Sequence, residues 1–280
     1  MIDYYARVSD AMLPHLRGRP ITLRRFPEGV GKPQTSFFEK NCPKHRPEWV
    51  KTTPIYVDRR AGEIDFCMCQ DLPTLTWMAQ LAALELHPSL SKATRMEQPT
   101  VLAFDLDPGA PAGLVECCQV ALRVRELFSA FGLECFPKVS GGKGLQVYIP
   151  LNTKVSYEQT SPFAKAVAQL LEKQTPKEVV SKMAKASRRG KVFVDWSQNH
   201  QKKTTIGVYS LRARERPWVS TPVEWEEVEA ALRKRKHGVD SLRFEARDVI
   251  KRVADRGDLF APLLELRQKL PRPSRLPGGG

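Results

Sequence analysis

The chain has 280 residues, of which 41% are hydrophobic and 27% charged, and its formal net charge at pH 7 is +14. That composition is typical of a globular protein with one large domain or two joined lobes. No apolar run approaches the roughly 18 residues that a membrane span needs, and the first residues lack a signal-peptide pattern, so we expect a cytoplasmic chain outside the membrane. The excess of 45 Lys and Arg over 31 Asp and Glu suits either a polyanionic partner such as nucleic acid or a solvated basic surface.

The six cysteines are spaced without any Cys-x-x-Cys pair. A structural zinc site usually combines two such pairs or one pair with histidines. Cys117 and Cys118 fall on the apolar stripe of a predicted helix, where reduced thiols buried in the core are expected. The sequence therefore predicts neither a disulfide nor a zinc site.

The N-terminal third has few regular patterns. Residues 1–16 have the spacing of a helix, and residues 21–57 are predicted to be irregular with short β-prone pieces. A helix capped by Asp71 is predicted to run to about Leu86. His87 would close that helix, as a C-terminal cap more often than as a ligand.

From Thr100 onward, apolar runs alternate with stretches of helical spacing. The predicted strands are Thr100–Asp107, Leu133–Val139, Leu145–Leu151, Lys191–Trp196 and Thr205–Leu211, the last two as a pair. The predicted helices are 114–131, a helix through Phe163, Val167 and Leu171, and then Glu224–Lys236, Asp248–Arg256 and Pro262–Leu270. Residues 271–280 are expected to be a linker or disordered. The sequence thus predicts an α+β protein, with an N-terminal αβ module over residues 1–98 and a β-rich lobe with C-terminal helices over residues 99–270, packed as one domain.

Three aspartates end apolar strands. Asp105 and Asp107 are two residues apart, so a strand places both carboxylates on one face. Taken alone, this pair is more often two solvated carboxylates, and Asp195 alone is as often a cap of the following turn. Together, the three carboxylates could hold two divalent metal ions, one activating an attacking hydroxyl and one steadying a leaving phosphate.

Ser140–Gly144 is a glycine-rich turn between two predicted strands. Backbone N–H groups in such a turn can approach phosphate oxygens, and Lys143 adds a positive charge. A plain β-turn with an exposed lysine is the simpler interpretation, and the turn lacks the Walker pattern. Further cations that could serve as phosphate ligands follow the third aspartate: Lys202, Lys203, Arg212 and Arg214.

Two adjacent phenylalanines lie in the N-terminal module. Phe37 and Phe38 would ordinarily be core residues. Their neighbours are basic, which would also suit stacking on nucleic-acid bases; these neighbours are Arg24, Arg25, Lys32 and Lys40.

The order of these motifs is more specific than any one of them. LAFDLDPG, then SGGKGL, then VFVDWSQN with KKTTIGVYSLRAR resemble the polymerase domain of bacterial ligase D, a member of the archaeo-eukaryotic primase superfamily that acts in non-homologous end joining. GRPITLRRFPEGV, FFEK and TWMAQLAALELHPSL in the N-terminal module are similar to this family too. The resemblance extends from about Asp3 to Val228.

The resemblance implies a fold, a reaction and a site. The fold would pair an RRM-like catalytic sheet with the flanking αβ module. The chain would be a template-dependent nucleotidyltransferase that fills gaps and extends ends of broken DNA, uses manganese or magnesium, prefers ribonucleotides, and works with Ku and a DNA ligase. Asp105, Asp107 and Asp195 would be the catalytic metal ligands. The nucleoside triphosphate would be bound by His87, Ser140, Lys143, Gly144, Gln146, Lys203 and Arg212. The nucleic acid would be contacted by Phe37, Phe38, Lys32 and Lys40.

Two departures from the family pattern change these expectations. Gln146 stands where the family has histidine, which predicts weaker nucleotide binding by an active enzyme. The chain begins close to the family's DYY stretch, so an N-terminal segment that binds a 5′-phosphate is expected to be missing, and with it part of the preference for that phosphate.

Three alternatives remain open at this point. A haloacid dehalogenase-type phosphatase also begins its site with an Asp-x-Asp pair, with the first aspartate as nucleophile. A primase that starts chains de novo would use the same carboxylates. A basic DNA-end-binding module without catalysis is favoured only by Gln146.

Overall fold

The computed structural model describes residues 1–59, 61–234 and 238–272, and for residues 57 and 58 it describes the backbone alone. The described residues group into two compact units. The first unit comprises Met1–Met96, Lys202–Thr221 and Phe244–Asp258. The second comprises Glu97–Gln201 and the described parts of residues 222–243 and 259–280.

The described residues up to Met96 form two α-helices and five strands. In chain order these are α1 (Ile2–Leu16), β1 (Pro20–Arg25), β2 (Phe37–Glu39), β3 (Thr52–Asp58), β4 (Gly62–Met68), α2 (Leu72–Gln80) and β5 (Ala83–Pro88).

The rest of the described chain adds six strands and five helices. In chain order these are β6 (Val101–Pro108), α3 (Leu114–Ala130), β7 (Phe136–Val139), β8 (Leu145–Pro150), α4 (Tyr157–Gln174), β9 (Val179–Val180), β10 (Val192–Asp195), β11 (Thr221–Pro222), α5 (Trp225–Arg233), α6 (Ala246–Arg256) and α7 (Pro262–Glu265). The predicted α+β class is confirmed.

Strand β1 is the centre of the first unit's sheet. It pairs antiparallel with β5 along one edge, and with β2 and β4 on the other. Ile21 and Leu23 alternate along β1 and are almost completely buried, so they anchor the strand to the core of this unit. The β1–β5 pairing fixes which residues of β5 lie beside the arginines of β1.

The predicted helix to Leu86 is wrong beyond Gln80. Ala82 adopts a left-handed backbone with φ 58°, and its carbonyl accepts the Phe26 N–H at 2.9 Å. The chain then continues as β5. Apolar residues between 81 and 86 fit helical spacing and a buried strand equally well, and pairing with β1 decides for the strand. His87 therefore lies in a strand and is not a helix cap.

The expectation of no disulfide is also wrong, because Cys42 and Cys67 are bonded. The Cys42 N–H donates to the Asp65 carbonyl at 2.6 Å, which holds the loop after β2 against β4. The two Cα atoms are 5.0 Å apart, within the range that a disulfide requires. A sequence separation of 25 residues gives no indication of that proximity. The predicted buried, reduced thiols of Cys117 and Cys118 are confirmed.

The second unit is built on a sheet with strand order β11-β7-β8-β6-β10-β9. The pairs β6–β8, β7–β8 and β6–β10 are antiparallel, and β9 runs parallel to β10. The rings of Phe104, Phe128 and Phe163 are fully buried and join β6 to α3 and α4, with centroid distances of 5.8 and 6.3 Å. This core supports β6 in the middle of the sheet.

Two further predicted elements differ. Thr205–Leu211 is not a strand: it is mostly irregular, with a turn at residues 208 and 209 and an isolated bridge between Leu211 and Val219. The helix Pro262–Leu270 stops at Glu265, because the Asn152 side chain donates to the carbonyls of Leu263 and Leu266 and Gln268 is drawn to the backbone of Glu134. The tail from residue 273 lies outside the described residues. Within the described part of the chain, no helix has the length and apolar character that crossing a membrane requires.

Candidate active site

Three carboxylates end neighbouring strands of the second unit. Asp105 and Asp195 are register partners across β6 and β10, and Asp107 lies opposite Phe193. Partners on one rung of an antiparallel pair point to the same face, as do residues two apart in a strand. Asp105, Asp107 and Asp195 therefore share one face of the sheet, as the sequence predicted.

The Asp195 carboxylate is held by the turn that follows it. One oxygen accepts the Ser197 N–H at 2.9 Å and the Ser197 hydroxyl at 2.6 Å, and the other accepts the Gln198 amide at 2.9 Å. Asn199 fastens this turn to β6 by bonding the backbone N–H and C=O of Ala103 at 2.9 and 2.7 Å. The position of Asp195 beside Asp105 is thus fixed by strand pairing and by a side-chain anchor.

The pKa of Asp105 is strongly raised. Burial raises the pKa of Asp105 to about 7, and the charges of Asp107 and Asp195 act in the same direction. A hydrogen bond with Gln146 and the charge of Lys138 oppose that rise. The three half-buried carboxylates therefore concentrate negative charge, which a cation would stabilise.

The chemistry of these donors fits a magnesium or manganese ion, because hard divalent cations prefer carboxylate oxygens. As the side chains stand, no three His, Cys, Asp or Glu groups of the described chain are arranged as a complete ligand set. Both oxygens of Asp195 accept hydrogen bonds, so metal binding would compete with Ser197 and Gln198 for this carboxylate. The donor set fits the metal, while the side chains would have to rearrange to bind it.

The glycine-rich turn lies against the end of β6. The Ser140 N–H and hydroxyl both donate to the Gly144 carbonyl, at 3.1 and 3.0 Å, and the Gly142 N–H donates to the Ser140 hydroxyl at 3.2 Å. A Cβ atom on Gly144 would lie 2.3 Å from the Leu106 carbonyl oxygen. Glycine is therefore required for this close approach, which places the turn beside Asp107, while Lys143 is exposed.

Gln146 belongs to a polar row that crosses the sheet. It is the register partner of Asp105 on β6 and of Lys138 on β7. Its side chain is buried and its carbonyl oxygen accepts the Tyr148 hydroxyl at 3.2 Å. The structure therefore places Gln146 on the face of Asp105, as predicted.

Sequence reasoning missed Lys138. This side chain is only 1% exposed, and its ammonium lies 5.5 Å from the centroid of the Tyr148 ring. Lysine is rarely fully buried unless its ammonium group is paired with another group. The available signal was the alternation in β7, which puts Lys138 on the face opposite to Pro137 and Val139.

Other predicted residues lie in the first unit, where they form a second polar group. His87 Nε2 is 3.0 Å from a Glu85 oxygen, and Arg212 Nε is 3.5 Å from the other. The rings of His87 and Phe38 meet edge to face at 5.4 Å, and the Arg24 guanidinium lies 5.2 Å from the Phe38 centroid. Glu85, which joins these cations, was also missed by sequence reasoning.

The remaining predicted residues of the first unit are exposed. Phe37 and Phe38 are 43% and 58% exposed on β2, so they are not the core residues that an aromatic pair usually provides. Lys32 forms an ion pair with Glu28 at 2.8 Å. Lys40 and Lys203 are exposed as well.

Comparison with known proteins gives consistent matches along the chain. Residues 1–260 match the family model described as "LigD, primase-polymerase domain". The multifunctional non-homologous end joining protein LigD of Mycolicibacterium smegmatis is 39% identical over 266 residues, which cover 94% of this chain and 33% of the relative. The bifunctional LigD of Bacillus subtilis is 33% identical over 232 residues, covering 82% and 36%. The chain thus spans about a third of the length of these relatives.

A solved structure matches the fold. The polymerase domain from Mycobacterium tuberculosis ligase D, in complex with DNA, is 38% identical, with a TM-score of 0.85 over 95% of this chain and 92% of that domain. The match confirms the predicted primase-polymerase fold.

Proposed function

This chain belongs to the LigD primase-polymerase domain family, and from that premise we propose that it is a template-dependent nucleotidyltransferase that fills gaps and extends ends in DNA break repair. The observation that carries the proposal is the set of three carboxylates on one face of β6 and β10. Membership of this family leaves no place for the haloacid dehalogenase alternative.

The proposed reaction joins a primer 3′-hydroxyl to the α-phosphate of a nucleotide. Asp105, Asp107 and Asp195 would hold two magnesium or manganese ions, which when bound assist the attacking hydroxyl and the leaving pyrophosphate. Burial of Asp105 raises its pKa, so this carboxylate binds a cation in competition with a proton. Ser197 and Gln198 keep Asp195 oriented towards the same face.

We propose two sets of ligands for the triphosphate. The turn Ser140–Gly144 would supply backbone N–H groups and the ammonium of Lys143, and Gln146 is the register partner of Asp105. His87, Arg212 and Lys203 would add positive charge. Gln146 offers a neutral hydrogen bond where the family has a histidine, and we propose that nucleotide binding is weaker for that reason.

The nucleic acid would be contacted by the aromatic pair of β2. Exposed rings offer a stacking surface to unpaired bases, and guanidinium groups support them from the strand alongside, with Arg24 at 5.2 Å from the Phe38 centroid and Arg25 at 5.4 Å from that of Phe37. Lys32 and Lys40 would add contacts to phosphates. Ku and a DNA ligase are the proposed protein partners.

Primer extension on gapped DNA tests the proposal. We expect the chain to add nucleotides with either manganese or magnesium, to prefer ribonucleotides, and most clearly so with manganese. Asp107→Ala should abolish addition while DNA binding persists, because phosphate contacts by basic residues supply much of the affinity. Normal extension by Asp107→Ala would contradict the carboxylate assignment, and equal use of deoxynucleotides would contradict the sugar preference alone.

A further inference from the structure

The Glu85 carboxylate is buried among cations in the first unit. Glu85 is 1% exposed and lies two residues before His87 on β5, so both side chains project to one face. One carboxylate oxygen is 3.0 Å from His87 Nε2 and 3.5 Å from the Arg24 guanidinium. The other oxygen lies 3.5 Å from Arg212 Nε and accepts the Ala213 N–H at 3.1 Å.

The side chains around Glu85 reach solvent although its carboxylate does not. The side chains of Arg24, Arg212 and His87 are 29%, 15% and 11% exposed, compared with 1% for Glu85. Two guanidinium charges accompany one carboxylate charge, so the cluster carries net positive charge towards its open side. That arrangement suits an incoming anion, with the carboxylate underneath holding the cations together.

The charge states follow from the same contacts. Burial on its own would raise the pKa of Glu85, but the His87 hydrogen bond and the Arg212 charge lower it to about 2. An ionised carboxylate only accepts hydrogen bonds, so His87 must donate through Nε2, and its Nδ1 is directed elsewhere. Burial, with the charges of Arg212 and Arg24, lowers the pKa of His87, and Glu85 opposes that change.

We infer that Glu85 is a positioning residue for the triphosphate: it touches no part of the nucleotide but orients His87 and Arg212 towards it. The inference rests on the proposed function, in which these two side chains bind the nucleotide. A guanidinium recognises phosphate through a fork of fixed geometry, and its direction is set by the group that it already contacts. A neutral His87 presents an acceptor at Nδ1, so binding to a phosphate oxygen requires protonation, which the Glu85 charge assists.

Because His87 must be protonated to bind a phosphate oxygen, nucleotide binding should depend on pH. The groups that face His87 are Glu85 on its own strand, Arg24 on β1, Arg212 on the 202–221 segment and the Phe38 ring on β2. Nucleotide affinity should fall as pH rises, because protonated His87 binds the anion. Removing the Glu85 charge should shift this fall to lower pH.

Glu85→Gln tests the inference against a matched control. Asp258→Asn neutralises the carboxylate of a second carboxylate–histidine pair of the same unit, in which His15 Nε2 and an Asp258 oxygen are 2.7 Å apart. Binding of ATP should be measured by calorimetry, and KM and kcat by primer extension, on the full chain. We expect Glu85→Gln to weaken ATP binding and raise KM by about tenfold, with a smaller change in kcat, while Asp258→Asn leaves both constants unchanged despite a comparable loss of thermal stability.

The outcomes separate the inference from the proposed function. If the wild type binds ATP and Glu85→Gln binds equally well with the same pH profile, the inference is overturned while the proposed function stands. If both variants lose affinity in proportion to stability, Glu85 is structural only, which also overturns the inference. ATP binding that depends on Glu85 without any primer extension would overturn the proposed reaction alone, and a wild type that binds no ATP would overturn both. Should Glu85→Gln fail to fold, Glu85→Asp, which keeps the charge on a shorter side chain, gives the same comparison.

Discussion

At the scale of single residues, Gln146 is the centre of a buried polar row. Lys138, Gln146, Asp105 and Asp195 occupy one rung across four adjacent strands. Gln146 and then Lys138 thus lie on one side of the Asp105 carboxylate, and Asp195 lies on its other side. The hydrogen bonds to Asp105 and from Tyr148 indicate that Gln146 supports the carboxylate cluster as well as lying near the proposed nucleotide.

Gln146→Leu tests this support, because leucine has a similar volume but makes no hydrogen bond. Asp105 and the Tyr148 hydroxyl would each lose a partner, and a buried polar group left unsatisfied costs about 1–3 kcal/mol. We expect the free energy of unfolding in urea to fall by that amount and manganese binding to weaken. The control is Tyr148→Phe, which removes the hydroxyl group that donates to Gln146 and keeps the Gln146 side chain that bonds Asp105. Unchanged stability and metal affinity in Gln146→Leu would mean that the side chain only fills space.

At the scale of elements, the glycine-rich turn and β6 are fitted to each other. The Gly144 Cα approaches the Leu106 carbonyl so closely that any side chain would meet backbone. Leu106 stands between Asp105 and Asp107, so displacing the turn would displace the strand end that carries the carboxylates. The turn therefore contributes to the site through its backbone position as well as through its proposed phosphate contacts.

Gly144→Ala should damage both stability and activity. The added Cβ would start 2.3 Å from a backbone oxygen, and overpacking of this kind costs about 1–3 kcal/mol. We expect a lower unfolding midpoint and a loss of primer extension larger than the unfolded fraction explains. Gly31→Ala serves as the control, because a Cβ there meets nothing within 4 Å. Full extension by Gly144→Ala at a temperature where it is folded would contradict this role of the turn.

The sequence predicted elements better than it predicted their pairing. Asp105, Asp107 and Asp195 could be found because each ends an apolar run, but the rung that joins Asp105 to Asp195 depends on which strands pair, and spacing does not encode this. His87 was assigned to a helix end because the apolar residues before it suit a helix and a buried strand equally.

Four residues were missed because their neighbours in the fold give them their roles. A charged residue inside a short apolar strand, such as Glu85 or Lys138, is read as solvent-facing until its neighbours are known. Cys42 and Cys67 were missed because their contact depends on how the loop after β2 lies against β4, which spacing does not encode.

At the scale of the whole molecule, the proposed DNA binding would draw separately on the charge of +14 and on the exposed aromatic pair. Each phosphate contact releases counterions, so the logarithm of the binding constant should fall linearly with the logarithm of salt concentration, by about 0.9 per contact. Stacking on an aromatic ring releases few ions and adds about 1–3 kcal/mol per base. In a plot of the logarithm of the binding constant against that of the salt concentration, phosphate contacts therefore change the slope, whereas stacking changes the intercept.

We expect Phe38→Ala to weaken binding to gapped DNA at every salt concentration without changing the slope, because it removes a ring that is 58% exposed and no charge. Lys40→Gln should reduce the steepness of the salt dependence by about 0.9, the value for one phosphate contact, and its affinity should converge with that of the wild type at high salt.

Fluorescence anisotropy between 50 and 400 mM salt, on gapped DNA with an unpaired template base, measures both the affinity and its salt dependence. Fully paired DNA of equal length is the control for stacking. On the paired DNA the effect of Phe38→Ala should shrink, since stacked bases are not available to the ring. A salt slope altered by Phe38→Ala, or an equal loss on paired DNA, would mean that β2 is not the stacking surface and that charge alone holds the DNA.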